Sequence, residues 1–405
     1  MIADGFGPAS AALGRGAKGR PLSVDSLLVG SVETSATDSR VTDSAASATA
    51  YACGLKSYNG AIGVDSDGVP CRTLFEAAEA RGLATGLVAT SRITHATPAA
   101  FTAHVTQRAD EAGIAEQLVA GGTDVAFGGG ARFFRPEAMG GARVDARDLV
   151  AEARATGWAV AQDRAGFDAL RTTPALALLA SDHLAYEIDR DETDEPSLAE
   201  LAVRALDLLA ASAEGRAEGF VLMVEGSRID HAAHGNDPAA HLRDILAYDE
   251  AVAAVLAWAA RDGQTLVVST ADHETGGLTL GRDGVYAWDP APLLAATASR
   301  ERMAARIAAG ENAATVVQDG VGADSLDAGV ADALARAASA QDAAAVARIV
   351  RDLESEPAGI GWTTTGHTAV DVGLYAWGPG ADAFHGTMRN DAVGRALFGV
   401  LGLAP

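Results

Sequence analysis

Phe220-Val-Leu-Met-Val-Glu225-Gly-Ser-Arg-Ile-Asp230-His231-Ala-Ala-His234 joins a continuous apolar run to a polar cluster. An apolar run without alternation reads as a strand buried on both faces, as in a parallel sheet covered by helices. The same pattern recurs at Gly86-Leu-Val-Ala-Thr90, Asp124-Val-Ala-Phe127, Thr265-Leu-Val-Val-Ser269 and Gly373-Leu-Tyr-Ala-Trp377. Helical stretches near 72–82, 98–121, 144–157, 197–213 and 238–260 separate these runs. The expected fold class is therefore α/β, a large, mostly parallel central sheet with helices on both faces. In such sheets ligands bind at the carboxyl ends of strands. Each polar cluster of this chain either follows a strand-like run closely or sits at a helix start. Residues 291–356, rich in Ala, Arg, Asp and Glu, read as a helical insertion in the same single domain.

Composition narrows the partners. The chain has 405 residues, 48% of them hydrophobic, enough for a large core. A net charge of −23 argues against nucleic acid or an anionic membrane surface as partner. No run approaches the length of a membrane span. An anionic substrate stays compatible with this acidity if bound metal ions reverse the local sign. The two cysteines, Cys53 and Cys71, lack the paired spacing of a zinc framework. A bridge between them is left open, and unpaired cysteines are favoured, with Cys53 a small buried residue of a helix. Met1-Ile-Ala precedes Asp4-Gly-Phe-Gly as the tail of a short first strand. The expectation is a truncated first strand with upstream residues, and any signal peptide, absent from this chain.

The polar clusters carry metal-ligand spacing. A helix beginning near Asp230 places Asp230 and His234 on one face, a carboxylate and an imidazole suited to zinc. Glu225, at the strand end, suits an oxygen-preferring ion such as Mg²⁺. Asp272-His273 at another strand end, with Gly276-Gly277 behind, can bend two ligands toward one ion. His367 lies in a Gly-containing turn before the Gly373–Trp377 run, and Asp4 ends the first strand. His95-Ala-Thr97-Pro98 supplies an imidazole and a hydroxyl, Pro98 fitting a first helical turn. Arg108 follows Thr97 by eleven residues, about three turns along the expected 98–121 helix. In Val41-Thr-Asp43-Ser44-Ala-Ala-Ser-Ala-Thr-Ala50 a hydroxyl sits at the start of a small-residue helix, among free N–H groups and the positive dipole end. Taken alone, that is an ordinary helix cap. His104, His183, His241 and His385 have no comparable context and read as structural or solvent-exposed. Together, two close zinc ions, a guanidinium fork and a serine form a coherent phosphoryl-transfer set.

At this point the chain resembles the alkaline phosphatases, from Asp4-Gly-Phe-Gly to His367 and the final strand and helix. Five motifs stand in the family's order with matching local spacings. The resemblance implies metal-dependent hydrolysis of phosphate monoesters through a phosphoserine at Ser44, with broad specificity. It implies Asp4, Asp272 and His273 as ligands of one Zn²⁺, and Asp230, His234 and His367 as ligands of a second. It implies one Mg²⁺ held by Asp4, Thr97 and Glu225. Arg108 would clamp phosphate, Asp43 would orient Arg108, and His95 and His231 would orient substrate. Histidine at both of these last positions resembles the vertebrate-type branch. A homodimer and a periplasmic or secreted location are the family's expectations.

Two alternatives accompany this reading. A phosphodiesterase or nucleotide pyrophosphatase of the same superfamily commonly uses Thr as nucleophile and lacks the clamping Arg, so Ser44 and Arg108 favour the monoesterase. A catalytically inert phosphate- or metal-binding protein is the other, disfavoured because every expected position holds a competent residue. The helical 291–356 segment departs from the mixed strand-and-loop region of vertebrate-type members.

Overall fold

The apolar runs pair into one ten-stranded sheet in the computed structural model, which describes residues 1–405. Across the sheet the strands are Gly386–Arg389, Leu28–Glu33, Val372–Trp377, Val267–Thr270, Ile2–Ala3, Phe220–Gly226, Ala84–Arg92, Val125–Gly129, Ala175–Leu178 and Ala159–Ala161. Val372–Trp377 runs antiparallel to both neighbours, and every other pairing is parallel. This is the α/β sheet expected from the sequence. The five unbroken apolar runs fall on strands. Leu28–Glu33, Ala159–Ala161 and Gly386–Arg389 leave no such run, being short or interrupted by polar residues and glycine, whereas Ala175–Leu178 lies in an apolar stretch of Ala and Leu that reads equally well as helix.

Parallel pairing forces long crossovers, and these are the helices. Leu198–Ala211 packs on the Ala84–Arg92 strand, and Pro238–Asp262 packs on Leu198–Ala211. Both bury their apolar faces in one core of 68 residues running the width of the sheet. No helix is long and apolar enough to cross a membrane. Residues 291–358 form five helices, Ala291–Ala295, Arg300–Ala308, Ala313–Gly320, Ala328–Ser339 and Ala343–Ala358. Four of these enclose a separate core of nine residues, including Met303, Val316, Val317 and Leu334.

Two expectations need correction. The stretch 98–121 is not one helix. A short Ala96–Ala99 turn of helix gives way to a loop before Glu111–Ala120 begins at its Asp110 cap. Asp110 accepts from Gly113 N, and this local bond competes with helix continuation. Arg108 therefore lies in the loop, not on a helix. The cysteines are also not free: Cys53 and Cys71 form a disulfide across an 18-residue separation. Neither position follows from sequence spacing, because the bridge depends on where the chain after the Ser44–Cys53 helix returns.

The C-terminal Asn390–Val400 helix packs on the Ser44–Cys53 helix at Gly394. A Cβ there would stand 2.3 Å from the Ala50 carbonyl oxygen. Alanine is favoured over glycine inside a helix by about 1 kcal/mol. Overpacking against backbone costs about 1–3 kcal/mol, so it outweighs that gain. Gly394→Ala is expected to destabilise the protein in urea or thermal denaturation. Unchanged or raised stability would mean that the two helices can separate without cost.

Candidate active site

The site assembles where the central strands end. Ile2 pairs with Glu225 on one side and with Thr270 on the other. Asp4 therefore emerges between the Glu225–His234 and Ala271–Thr275 segments. The register alone brings Asp4, Glu225, Asp230 and Asp272 together, each no more than 3% exposed. Burial raises the carboxyl pKa of Asp4 well above its usual range, and the neighbouring Asp272, Asp230 and Glu225 charges push it further. Burial likewise raises Glu225 to about 7. Several acids in one pocket need compensating positive charge.

The unpaired atoms face the same need. Both carboxylate oxygens of Asp4, one each of Glu225 and Asp272, and the Thr97 hydroxyl are buried without a hydrogen-bond partner. Asp4, Asp272 and His273 offer ligand atoms within 4.8 Å of one another, as do Asp230, His273 and His367. A third group combines Asp4, Glu225 and His95. Asp230 and His234, four apart on the Arg228–His234 helix, approach to 3.3 Å, and His367 Nε2 lies 3.7 Å from Asp230.

Backbone carbonyls fix the imidazoles. His234 Nδ1 donates to Thr365 O at 2.6 Å, and His367 Nδ1 donates to Thr42 O at 2.8 Å. Each ring thereby spends its proton on Nδ1 and aims an Nε2 lone pair inward. The two Nε2 atoms are 3.1 Å apart. Against the cost of burial, Asp230 raises the His234 pKa to about 9, so a proton or a cation has to sit between these nitrogens. Asp230 also accepts from Thr275 Oγ1 at 2.5 Å. Asp272 is held by Gly5 N and His273 N, and its main-chain oxygen by Ser47 Oγ. The residues present thus fit divalent cations in number, charge and orientation.

Ser44 opens its helix, with Asp43 as the cap. Asp43 accepts from Ala46 N through one oxygen, and from Gly60 N and Arg108 through the other. Ser44 is 2% exposed, and its Oγ lies 3.2 Å from His273 Nε2. Arg108 reaches Asp43 at 3.1 Å and His95 Nε2 at 3.0 Å. The structure thus brings the residues singled out in the sequence to one place, His231 included, its ring centroid 5.4 Å from that of His95.

Residues 1–403 match the family model of the alkaline phosphatases. The chain belongs to the alkaline phosphatase family. It is 40% identical to the repressible alkaline phosphatase of Saccharomyces cerevisiae, over 98% of this chain and 80% of that protein. It is 37% identical to alkaline phosphatase 3 of Bacillus subtilis, over 94% and 82% respectively. The crystal structure of a cold-active alkaline phosphatase from the psychrophile Shewanella sp. superposes with a TM-score of 0.90 at 35% identity, covering 99% of this chain and 98% of that one. As an alkaline phosphatase the chain is an enzyme that hydrolyses phosphate monoesters.

This alkaline phosphatase carries residues around the site that sequence reasoning missed. His183 is not a remote structural histidine. Its ring centroid lies 4.3 Å from that of His231 and 5.7 Å from that of His95. It follows the Ala175–Leu178 strand, so the strand-end rule could have found it had that strand been recognised. Each ring of this trio has its own guanidinium: Arg108 on His95, Arg92 on His183, Arg228 on His231. Burial, reinforced by these cations, lowers all three imidazoles, His231 to about 3. Arg228 also lies over the Tyr186 ring and pairs with Glu301, from the helical segment 291–358.

His241 is structural, as expected. It accepts from Ser10 Oγ and donates to Ile229 O, which supports the helix carrying Asp230. Burial lowers its pKa from 6.5 to about 4. The unfolded chain therefore binds a proton here before the folded one does. Stability from this site is complete above about pH 6.5 and is lost as pH falls toward 4, by roughly 3 kcal/mol in all. In urea denaturation of the metal-loaded protein, His241→Asn should lose less stability than wild type between pH 7 and pH 4.5. Parallel losses would mean that His241 takes up its proton equally in both states.

Proposed function

We propose that this alkaline phosphatase acts through a covalent phosphoserine at Ser44, with two Zn²⁺ and one Mg²⁺, and with broad specificity for the alcohol. The observation that carries the reading is Ser44 Oγ at a helix N-terminus, between His273 and the Asp43–Arg108 pair. Asp4, Asp272 and His273 would hold one Zn²⁺. Asp230, His234 and His367 would hold the other. Asp4, Thr97 and Glu225, an oxygen set, would hold Mg²⁺. Bound there, the cations would act as Lewis acids that acidify the serine hydroxyl and water and neutralise charge on the leaving oxygen.

The chain's own residues account for the rest. Arg108 presents two donors to two non-bridging oxygens of the phosphoryl group. Asp43 aims that fork and keeps it from swinging into solvent. Free N–H groups of the first helical turn lie beside the same oxygens and favour their negative charge. Ser44 Oγ attacks phosphorus, the P–O bond to the alcohol breaks, and the alcohol leaves. Water then attacks the phosphoserine, restoring Ser44 and releasing inorganic phosphate. A diester carries a second alkoxy group where Arg108 needs an anionic oxygen, so the clamp selects monoesters.

His95 and His231 are proposed to orient substrate as neutral rings. Arg228 donates to His231 Nδ1, which leaves the proton on Nε2. The ring then offers a neutral N–H rather than a cation. We also propose an extracytoplasmic location, supported by the Cys53–Cys71 disulfide, since such bridges persist in oxidising compartments. A homodimer is proposed from family membership, and light scattering in solution tests it.

With Zn²⁺ and Mg²⁺ supplied at alkaline pH, hydrolysis of p-nitrophenyl phosphate should far exceed that of the bis-ester. Ser44→Ala should lose about 10³-fold or more in kcat, and EDTA should abolish activity. Diester preference would transfer the reading to a phosphodiesterase. His231→Lys should tighten inhibition by inorganic phosphate roughly tenfold, about 1.4 kcal/mol. An unchanged inhibition constant would show that position 231 does not face the product.

A further inference from the structure

The Cys53–Cys71 bridge lies at the far end of the Ser44–Cys53 helix from the serine, yet the chain it closes comes back to the site. Residues 54–70 leave the helix, run back along it and turn beside Asp43. Asn59 and Gly60 stand at that turn. Asn59 Oδ1 accepts from Asp43 N at 2.8 Å, and Asn59 Nδ2 donates to Val41 O at 3.1 Å. Asn59 N donates to Asp38 at 3.0 Å. Gly60 N donates to Asp43 Oδ2 at 3.0 Å, and Gly60 O accepts from Arg108 N at 2.8 Å. Gly60 has φ +91°, a conformation that lets one residue turn its N–H to Asp43 and its carbonyl to Arg108.

The strap is fastened again on its way out. Thr49 Oγ1 donates to Ala61 O and accepts from Gly63 N, both at 3.0 Å. Ile62 and Val105 exchange two main-chain bonds, which ties the strap to the loop that carries Arg108. Cys71 N donates to Gly63 O at 3.0 Å, just before the disulfide returns the chain to the helix. Arg108 itself makes three hydrogen bonds, to Gly60 O, to Asp43 and to His95. Two of the three therefore run through the strap or through the carboxylate it holds.

We propose that the disulfide-closed strap 54–70 sets the geometry of the phosphate clamp, with Asn59 a positioning residue for Asp43 and Arg108. The proposal rests on the reading of Arg108 as that clamp. Asn59 touches neither the reacting atoms nor the metal-ligand set. It acts by fixing the Asp43 main chain, so that one carboxylate oxygen meets Arg108 while the other caps the Ser44 helix. The disulfide limits how far the strap can drift from that helix. Without it the strap keeps its hydrogen bonds, those of Thr49 and of Ile62 with Val105 among them, but loses its covalent closure on the helix.

The test uses metal-loaded enzyme, three single variants, Asn59→Ala, Cys71→Ser and Arg108→Ala, and the double variant of Asn59→Ala with Arg108→Ala. KM and kcat are measured with p-nitrophenyl phosphate, kcat/KM with the bis-ester, the inhibition constant with inorganic phosphate, and zinc content by atomic spectroscopy. Asn59→Ala should raise the monoester KM and the phosphate inhibition constant about three- to tenfold, the range of one hydrogen bond. Zinc content and bis-ester kcat/KM should stay within twofold. Cys71→Ser should move the same constants in the same direction, and it decides the matter if Asn59→Ala fails to fold. Adding Asn59→Ala to Arg108→Ala should change phosphate binding no further, because both act through one guanidinium. Equal losses on monoester and bis-ester, or a lowered thermal midpoint with unchanged phosphate binding, would reduce the strap to a structural role and overturn the proposal. If Arg108→Ala itself leaves phosphate binding unchanged, the clamp reading falls, and the proposal with it. If only the strap variants are without effect, the clamp stands and the proposal alone fails.

Discussion

Four buried carboxylates with too few protein cations around them are the constraint on which the rest of the structure depends. Asp4, Glu225, Asp230 and Asp272 meet because three adjacent parallel strands end at the same level. Hydrogen bonds from Gly5 N, His273 N and Thr275 Oγ1 satisfy part of their acceptor capacity. The remainder, concentrated on Asp4, is left for cations. A site of this kind is unstable without its counter-charge and strongly polarising with it. The cost of burying the acids and the capacity to stabilise charge on a phosphoryl group thus have one origin.

A layer of groups outside the carboxylate cluster keeps this arrangement in order. Carbonyls of Thr42 and Thr365 set the protonated nitrogen of His367 and His234. Arg228 does the same for His231 and draws on Tyr186 and Glu301 for its own position. Through Glu301 the helical segment 291–358 reaches a ring beside the site, although its own small core is separate. The backbone of residues 54–70 performs a comparable service for Asp43 and Arg108. In each case a side chain with several usable orientations is reduced to one by a neighbour that is itself fixed by the main chain.

Much of the sheet was legible because buried parallel strands leave continuous apolar runs, and five of these stood out. The edge strands Ala159–Ala161 and Gly386–Arg389 did not, since short strands exposed at a rim carry no such run. The break between Ala96–Ala99 and Glu111–Ala120 carries no glycine or proline to mark it, and the loop is held by contacts to distant residues such as Gly60 and Ile62. His183 escaped notice together with its strand. Arg108 stands out in the sequence, but on a helix it does not occupy, since it lies in the loop between Ala99 and Glu111.

The sequence by itself determined the fold class and the identities of the ligand-type residues. Both are written in local patterns: apolar periodicity, and carboxylate, imidazole and hydroxyl groups placed just past strand ends. Only the tertiary structure decided how these segments meet. The register of Ile2 with Glu225 and Thr270, the closure of Cys53 on Cys71, and the approach of Gly60 to Asp43 and Arg108 each join residues remote in sequence or set by the return of a loop. Such contacts are fixed by the packing of the whole sheet and its crossovers, an energy shared among many residues, so no local stretch of the chain records them.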